Sequence, residues 1–165
     1  VHGGTIRVFV SEKNNFKKTT NFEKMIKFEE EFGINEIQTY QKFSKNVKEL
    51  KNKLQNKLLK FKKEGKIIFG YGASAKGNVL LNYCNIGTEI LDYIVDTTPL
   101  KQGLYSPGMH IPVKSDKQNI ENPSQYVALL LAWNYEEAII NKEEEFLKNG
   151  GKFLVPITIP KIISK

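Results

Sequence analysis

The sequence predicts an α/β fold, a Rossmann-like parallel sheet flanked by helices, preceded by an N-terminal strand and a long amphipathic helix. Two observations carry this. Lys66 to Asp96 reads as apolar strand, glycine-bearing turn, amphipathic helix and second apolar strand, which is one βαβ crossover. Tyr126-Val127-Ala128-Leu129-Leu130-Leu131-Ala132-Trp133 is a continuous apolar run, the pattern of a parallel strand buried on both faces.

The elements follow in chain order. Val1 to Val10 begins with a Gly-Gly pair and ends in alternating apolar residues, so it reads as a strand, although no partner lies nearby in sequence. His2 and Arg7 are read as polar residues displayed by that strand. Ser11 to Thr20 is polar and lysine-rich, hence a loop. Thr20 or Asn21 would cap a short helix from Phe22 to Phe32, with Gly33 as its C-terminal glycine. From Asn35 a long helix is expected. Ile37, Tyr40, Phe43, Val47, Leu50, Leu54, Leu58 and Phe61 recur at intervals of three and four, lysines fill much of the remainder, and Gly65 ends it. At 1.5 Å per residue it would span roughly 40 Å. It could link domains, cover the sheet or pair with a copy of itself.

The turn after the first βαβ strand is Gly70-Tyr71-Gly72-Ala73-Ser74-Ala75-Lys76-Gly77. Its glycines would allow close backbone approach, and the helix that follows presents N–H groups and a positive dipole end. The spacing is neither G-x-G-x-x-G nor a P-loop, because the third glycine comes two residues late and no Gly-Lys-Ser/Thr follows. Asp96 ends the second strand, where dinucleotide-binding folds place a ribose-holding acid. Thr97 to Val113 is dense in proline and glycine and predicts ordered turns, with Ile111–Val113 adding a short edge strand. Asp116 to Pro123 is a polar connection. Trp133 and Asn134 fall at the carboxyl end of the apolar run. Glu136 to Lys148 is acidic first and basic last, as suits a helix dipole, with Gly150-Gly151 after it. Lys152 to Pro156 is a final strand. The expected crevice is lined by Tyr71, Ser74, Lys76, Asp96, Lys101, Gln102, Trp133 and Asn134.

Composition narrows the partners. The 165 residues suit one domain or a domain with an appendage, and 40% hydrophobic content allows an ordinary core. The charge is +7, yet Arg7 is the only arginine, so bidentate phosphate and guanine recognition is poorly served and no nucleic-acid partner is expected. Cys84 is the only cysteine, which rules out an internal disulfide or a zinc cluster within this sequence and points to a reducing cytoplasm. It reads as a small apolar core residue, and His110 reads as a loop residue. No apolar run approaches a membrane span, so no membrane partner is expected. No Ser-His-Asp arrangement, HExxH motif or carboxylate pair appears, so no catalytic or metal residue is assigned.

A resemblance goes further than these patterns. His2-Gly3-Gly4-Thr5-Ile6-Arg7, Gly70-Tyr71-Gly72-Ala73-Ser74-Ala75-Lys76-Gly77-Asn78 with Leu80-Leu81-Asn82, and Val95-Asp96-Thr97-Thr98-Pro99-Leu100-Lys101-Gln102-Gly103 form the first blocks. Pro107-Gly108, Ile111-Pro112-Val113, Ala132-Trp133-Asn134 and Gly150-Gly151-Lys152-Phe153 complete them. Together they resemble the C-terminal domain of S-adenosylmethionine-dependent C-methyltransferases, typified by enzymes that methylate nucleotide-linked deoxysugars. Thr5 departs from the usual serine but keeps its hydroxyl.

The resemblance implies a division of the chain. Residues 1–20 would end an upstream methyltransferase domain, 21–65 would be a helical linker, and 66–165 a Rossmann-like substrate-anchoring domain. The family's zinc segment, cofactor loop and catalytic Glu-His pair have no counterpart in this sequence. S-adenosylmethionine would therefore be bound outside this chain, and the chain would be inactive alone. The implied partners are a nucleotide-linked sugar and the upstream domain, with a homodimer open. Gly72 and Ala73 join Tyr71, Ser74, Lys76, Asp96, Lys101, Gln102, Trp133 and Asn134 as substrate-binding candidates. The reaction in the whole enzyme would be proton abstraction beside a keto group, then attack of the enolate on the methyl sulfonium. Two alternatives are an NAD(P)-type dinucleotide-binding oxidoreductase domain and a non-catalytic interaction module built on the lysine-rich helix.

Overall fold

The computed structural model describes residues 5–13, 15–115 and 120–165. The chain divides into two compact units, Val1–Lys48 and Glu49–Lys165.

In the first unit, helix α1 spans Thr20–Phe32 and helix α2, Ile37–Lys63, begins. Thr19 caps α1, its hydroxyl accepting from the Phe22 N–H, so the helix starts slightly earlier than expected. Gly33 closes it at φ 75°, the left-handed conformation that the sequence position predicted. The Tyr40 hydroxyl donates to the Ile34 carbonyl at 2.6 Å and fixes the turn between the helices. No residue of α1 is buried, and Phe28 and Phe32 stack on each other at 6.3 Å while exposed.

The expected strand over residues 1–10 is corrected by this structure. Thr5–Val10 belong to no strand and are exposed, while residues 1–4, His2 included, lie outside the described residues. The alternation is real, but a strand exists only when a neighbour takes its backbone groups, and among the described residues no strand pairs with this segment.

The second unit is a six-stranded sheet in the order β3-β2-β1-β4-β5-β6. Strand β1 is Ile67–Tyr71, β2 Tyr93–Val95, β3 Val113–Lys114, β4 Tyr126–Leu130, β5 Lys152–Val155 and β6 Lys161–Ile163. The first five are parallel; β6 pairs antiparallel to β5, with Leu154 opposite Ile162. That last strand was not foreseen, because Lys161-Ile162-Ile163 is too short to read as an element in sequence. Helix α3, Ala75–Cys84, connects β1 to β2. The helix expected over 136–148 is two pieces, α4 (Glu136–Lys142) and α5 (Glu144–Lys148), broken at Glu143. Short 3₁₀ turns occupy Pro99–Lys101, Pro123–Gln125 and Trp133–Tyr135.

Strands β1, β2, β4 and β5 feed two cores with their alternate residues. Ile68, Ile94, Val127, Leu129 and Leu154 pack on one face with Leu54, Leu58 and Phe61 of α2 and with Leu80, Leu81 and Cys84 of α3. Phe69, Tyr93, Val95, Ala128, Leu130, Phe153 and Val155 pack on the other with Leu147 of α5. Burial on both faces explains the continuous apolar runs. Cys84 is fully buried, as expected of a small core residue, and burial pushes its thiol pKa up. The apolar stripe of α2 is a core face from Leu54 onward. No helix among the described residues is long and apolar enough to cross a membrane.

This order positions the site. From β1 the chain goes to β2 on one side, and β4 joins β1 on the other, so strand order reverses between β1 and β4. In open parallel sheets the crevice beyond the carboxyl ends at such a reversal is where ligands bind.

Candidate functional site

The glycine turn is held from three directions. The Gly72 N–H donates to the Val95 carbonyl at 2.8 Å, and the N–H groups of Leu131 and Ala132 donate to the Tyr71 carbonyl at 3.0 and 3.2 Å. Ser74 caps α3: its hydroxyl accepts from the Gly77 N–H at 3.0 Å and donates to the Leu131 carbonyl at 2.8 Å. The two glycines flanking that cap answer to packing. A Cβ on Gly77 would lie 2.6 Å from Cβ of Leu131, and one on Gly72, at φ +88°, would lie 2.8 Å from Cβ of Ala132. The close approach that glycine permits here is to the two residues that follow β4.

Asp96 organises the other wall. Its carboxylate accepts from the Ala73 N–H at 2.7 Å, the Thr98 N–H at 2.8 Å and the Lys101 ammonium at 3.2 Å. Lys101 also donates to the Ala73 carbonyl at 2.9 Å, and the Gln102 amide donates to the Asp96 carbonyl at 2.9 Å. The Asp96 side chain is only 9% exposed. Burial pushes its pKa up, but hydrogen bonds from Thr98, Lys101 and Ala73 outweigh this, and the net value lies below the usual carboxylate range. Asp96 is thus committed to tying the loop after β2 to the glycine turn, and its lone pairs are not open to a ribose in the way the sequence position suggested.

That loop folds back on itself. The Gly103 N–H donates to the Val113 carbonyl at 2.9 Å, the Val113 N–H donates to the Leu104 carbonyl at 2.8 Å, and the Ser106 hydroxyl accepts from the Ile111 N–H at 3.0 Å. His110 sits in its turn at φ 51°, a loop residue as expected. Asn82 of α3 donates to the Pro107 carbonyl at 3.0 Å and clamps the loop tip to the helix.

Between α3 and this loop lies a cavity of about 430 Å³. Ala73, Ser74, Ala75, Asn78 and Leu81 form the helix wall, Lys101 and Leu104–Pro107 the loop wall, and Ile94, Val113 and Leu131 the floor. The lining is mostly apolar with a few polar groups, the usual make-up of a small-molecule site. Among the described residues no group of three His, Cys, Asp or Glu could hold a metal.

The sequence-predicted residues separate into groups. Ala73, Ser74 and Lys101 line the cavity, and Asp96 and Gln102 brace its wall. Gly72 is half-buried, its backbone packed against Ala132. Lys76 is exposed in the first turn of α3. Trp133 and Asn134 lie in the 3₁₀ turn after β4, with Trp133 partly buried against both cores. Tyr71 points to the opposite face of the sheet, where its hydroxyl donates to Glu143 at 2.7 Å and its ring meets Phe153 edge-on at 5.6 Å. Tyr71, Lys76, Trp133 and Asn134 do not line the cavity. Sequence reasoning missed Asn78 and Leu104–Pro107. The proline-glycine density after Asp96 marked the loop, but nothing in the helix pattern marked Asn78.

Residues 1–158 match the family model described as the C-methyltransferase C-terminal domain. The chain is 39% identical over 165 residues to the C-methyltransferase NovU of Streptomyces niveus, an alignment covering 99% of this chain and 39% of that protein. The match extends over both units described above, so it is not confined to the glycine turn. The chain belongs to the family of C-methyltransferase C-terminal domains.

Proposed function

We propose that this chain is the substrate-anchoring part of an S-adenosylmethionine-dependent sugar C-methyltransferase, that it holds a nucleotide-linked sugar, and that it is inactive alone. The cavity between α3 and the loop after β2 carries the reading. It opens beside the helix N-terminus at the carboxyl ends of the strands, and Lys101 on its wall is 43% exposed. That combination suits a ligand with an apolar ring portion and a phosphate-borne negative charge.

S-adenosylmethionine does not fit the residues of this chain. The turn that would cradle it spends the N–H groups of Gly72, Ala73, Ser74 and Gly77 on protein acceptors, and Leu131 and Ala132 fill the space against its glycines. The cofactor is assigned outside the chain. The engagement of Asp96 also weighs against a dinucleotide held through its ribose. Residues 1–20 are assigned to the edge of the methyltransferase domain, 21–65 to a helical linker and 66–165 to the anchoring domain.

Calorimetric titration of the 165-residue chain tests this, with a nucleoside-diphosphate hexose, NAD and S-adenosylmethionine used separately. The nucleotide sugar is expected to bind at millimolar affinity or tighter, which is ~4 kcal/mol or more. S-adenosylmethionine is expected not to saturate. Binding of NAD alone would overturn the reading in favour of an oxidoreductase domain, and micromolar S-adenosylmethionine binding would move the cofactor site into this chain.

A further inference from the structure

One tyrosine stands apart from the others of this chain. The hydroxyls of Tyr40 and Tyr71 donate to Ile34 and Glu143, the Tyr83 ring lies against the Lys51 ammonium, and the rings of Tyr93 and Tyr126 meet Phe69. Tyr135 is likewise engaged. The Tyr105 side chain makes no hydrogen bond, ring contact or cation contact among the described residues, and Tyr105 is 66% exposed. Yet it borders the cavity, on the loop wall, beside the exposed Leu104. Aromatic rings gain from burial and from stacking, and this one has neither in the chain alone.

The backbone beneath the ring is fixed. Tyr105 bridges Pro112 in the antiparallel sense, between the bond from the Val113 N–H to the Leu104 carbonyl at 2.8 Å and the bond from the Ser106 N–H to the Ile111 carbonyl at 2.9 Å. Ser106 beside it is buried, and Asn82 holds the Pro107 carbonyl. A ligand that orders Tyr105 therefore restrains only the two torsions of its side chain, a small entropic cost for a large contact area.

Charge lies on the same wall. Lys101, four residues earlier, also borders the cavity. Its ammonium has three donors and spends two, on the Ala73 carbonyl and the Asp96 carboxylate. One donor remains for an anion. A planar ring joined to a phosphate is the ligand that uses both groups.

We infer that Tyr105 is the stacking platform of this cavity, its ring receiving the planar base of the nucleotide while the remaining Lys101 donor meets a phosphate oxygen. The inference rests on the nucleotide-sugar reading above and deepens it, by naming the residue that tells a nucleotide-linked sugar from a bare sugar phosphate. Every base has a π-face, so stacking selects the nucleotide handle and not the identity of the base.

The test titrates the wild-type 165-residue chain, Tyr105→Phe and Tyr105→Ala with a uridine-diphosphate hexose and with its 5,6-dihydrouridine counterpart. The dihydro base keeps the same hydrogen-bonding edge and the same diphosphate, but it is puckered and not aromatic. Thermal unfolding of the three proteins is measured without ligand, and equal melting temperatures are expected. The wild type should bind the aromatic ligand roughly tenfold more tightly than the dihydro ligand. Tyr105→Phe should keep that preference, and Tyr105→Ala should bind both ligands alike at the weaker level. Equal binding of the two ligands by the wild type, or a preference that survives in Tyr105→Ala, overturns the role of Tyr105 and leaves the nucleotide-sugar reading standing. Loss of the preference in Tyr105→Phe overturns stacking by assigning the contact to the hydroxyl. A lower melting temperature for Tyr105→Ala with both ligands weakened equally overturns it too, by showing that the ring serves the fold. Absence of nucleotide-sugar binding by the wild type overturns both readings together.

Discussion

The carboxylate of Asp96 accepts the Ala73 N–H at 2.7 Å, so the acid that ends β2 fastens the turn that leaves β1. The same oxygen takes the Lys101 ammonium, which reaches on to the Ala73 carbonyl. Both backbone groups of Ala73 are thereby met by side chains from the neighbouring loop. Asp96→Ala leaves the Ala73 N–H without its acceptor and frees the loop wall of the cavity. Denaturant unfolding should show a loss of about 2–3 kcal/mol, the scale of a buried charge-assisted hydrogen bond. A change below ~0.5 kcal/mol would mean that the carboxylate does not hold the turn.

Acid sensitivity follows from the same group. Asp96 ionises more readily in the folded chain than in the unfolded one, so the folded state binds fewer protons across the acid range. Its contribution is complete above the unfolded carboxylate value of about 4 and is lost as pH falls through the lowered folded value. Melting temperature plotted against pH should therefore drop more steeply below about pH 4 in the wild type than in Asp96→Asn. Parallel curves for the two proteins would rule out this linkage.

Gly77 presents a conflict between local and tertiary preference. Alanine is the better helix former by roughly 1 kcal/mol. Here, however, its methyl carbon would meet Leu131 Cβ at 2.6 Å and the Leu131 carbonyl oxygen at 3.1 Å. Overpacking of this kind typically costs about 1–3 kcal/mol, and backbone cannot yield as a flexible side chain does. Gly77→Ala should lower the melting temperature by several degrees, at roughly 2–4 °C per kcal/mol for a chain of this size. A rise in melting temperature would show that α3 can shift away from β4 freely.

The parallel sheet was legible because its signals are local and redundant. Tyr126–Leu130 is apolar at every position because Val127 and Leu129 serve one core while Ala128 and Leu130 serve the other. Gly33 announced a helix end through chemistry that needs no tertiary context. The break at Glu143 was not legible, since the charge pattern of 136–148 suits one helix and the interruption is a matter of how two short pieces lie on the sheet. The site was half legible. Position after a strand grouped Ser74, Asp96 and Lys101, which the fold does bring to one crevice, but sequence cannot say whether a carboxylate faces a ligand or the backbone beside it. Nor can it say that Tyr71, the last residue of β1, turns to the far face, where Glu143 takes its hydroxyl proton.

The N-terminal segment supplies the last prediction. Thr5–Val10 form no strand, and Phe9 and Val10 are 85% and 90% exposed. Their alternation nonetheless fits one face of a sheet, and the chain spans only 39% of the length of its relative NovU. Under the proposed function these residues complete the edge of a methyltransferase domain, which would take both their backbone groups and the side chains of Val8 and Val10. Hydrogen exchange of the 165-residue chain should then show amides 5–10 exchanging at rates near those of an unstructured peptide, because no ladder protects them. In a longer protein that carries the methyltransferase domain, the same amides should be slowed by orders of magnitude, as core strands are. Protection already present in the 165-residue chain would mean that the segment finds its partner without that domain. Fast exchange in both proteins would remove residues 1–20 from the upstream sheet altogether.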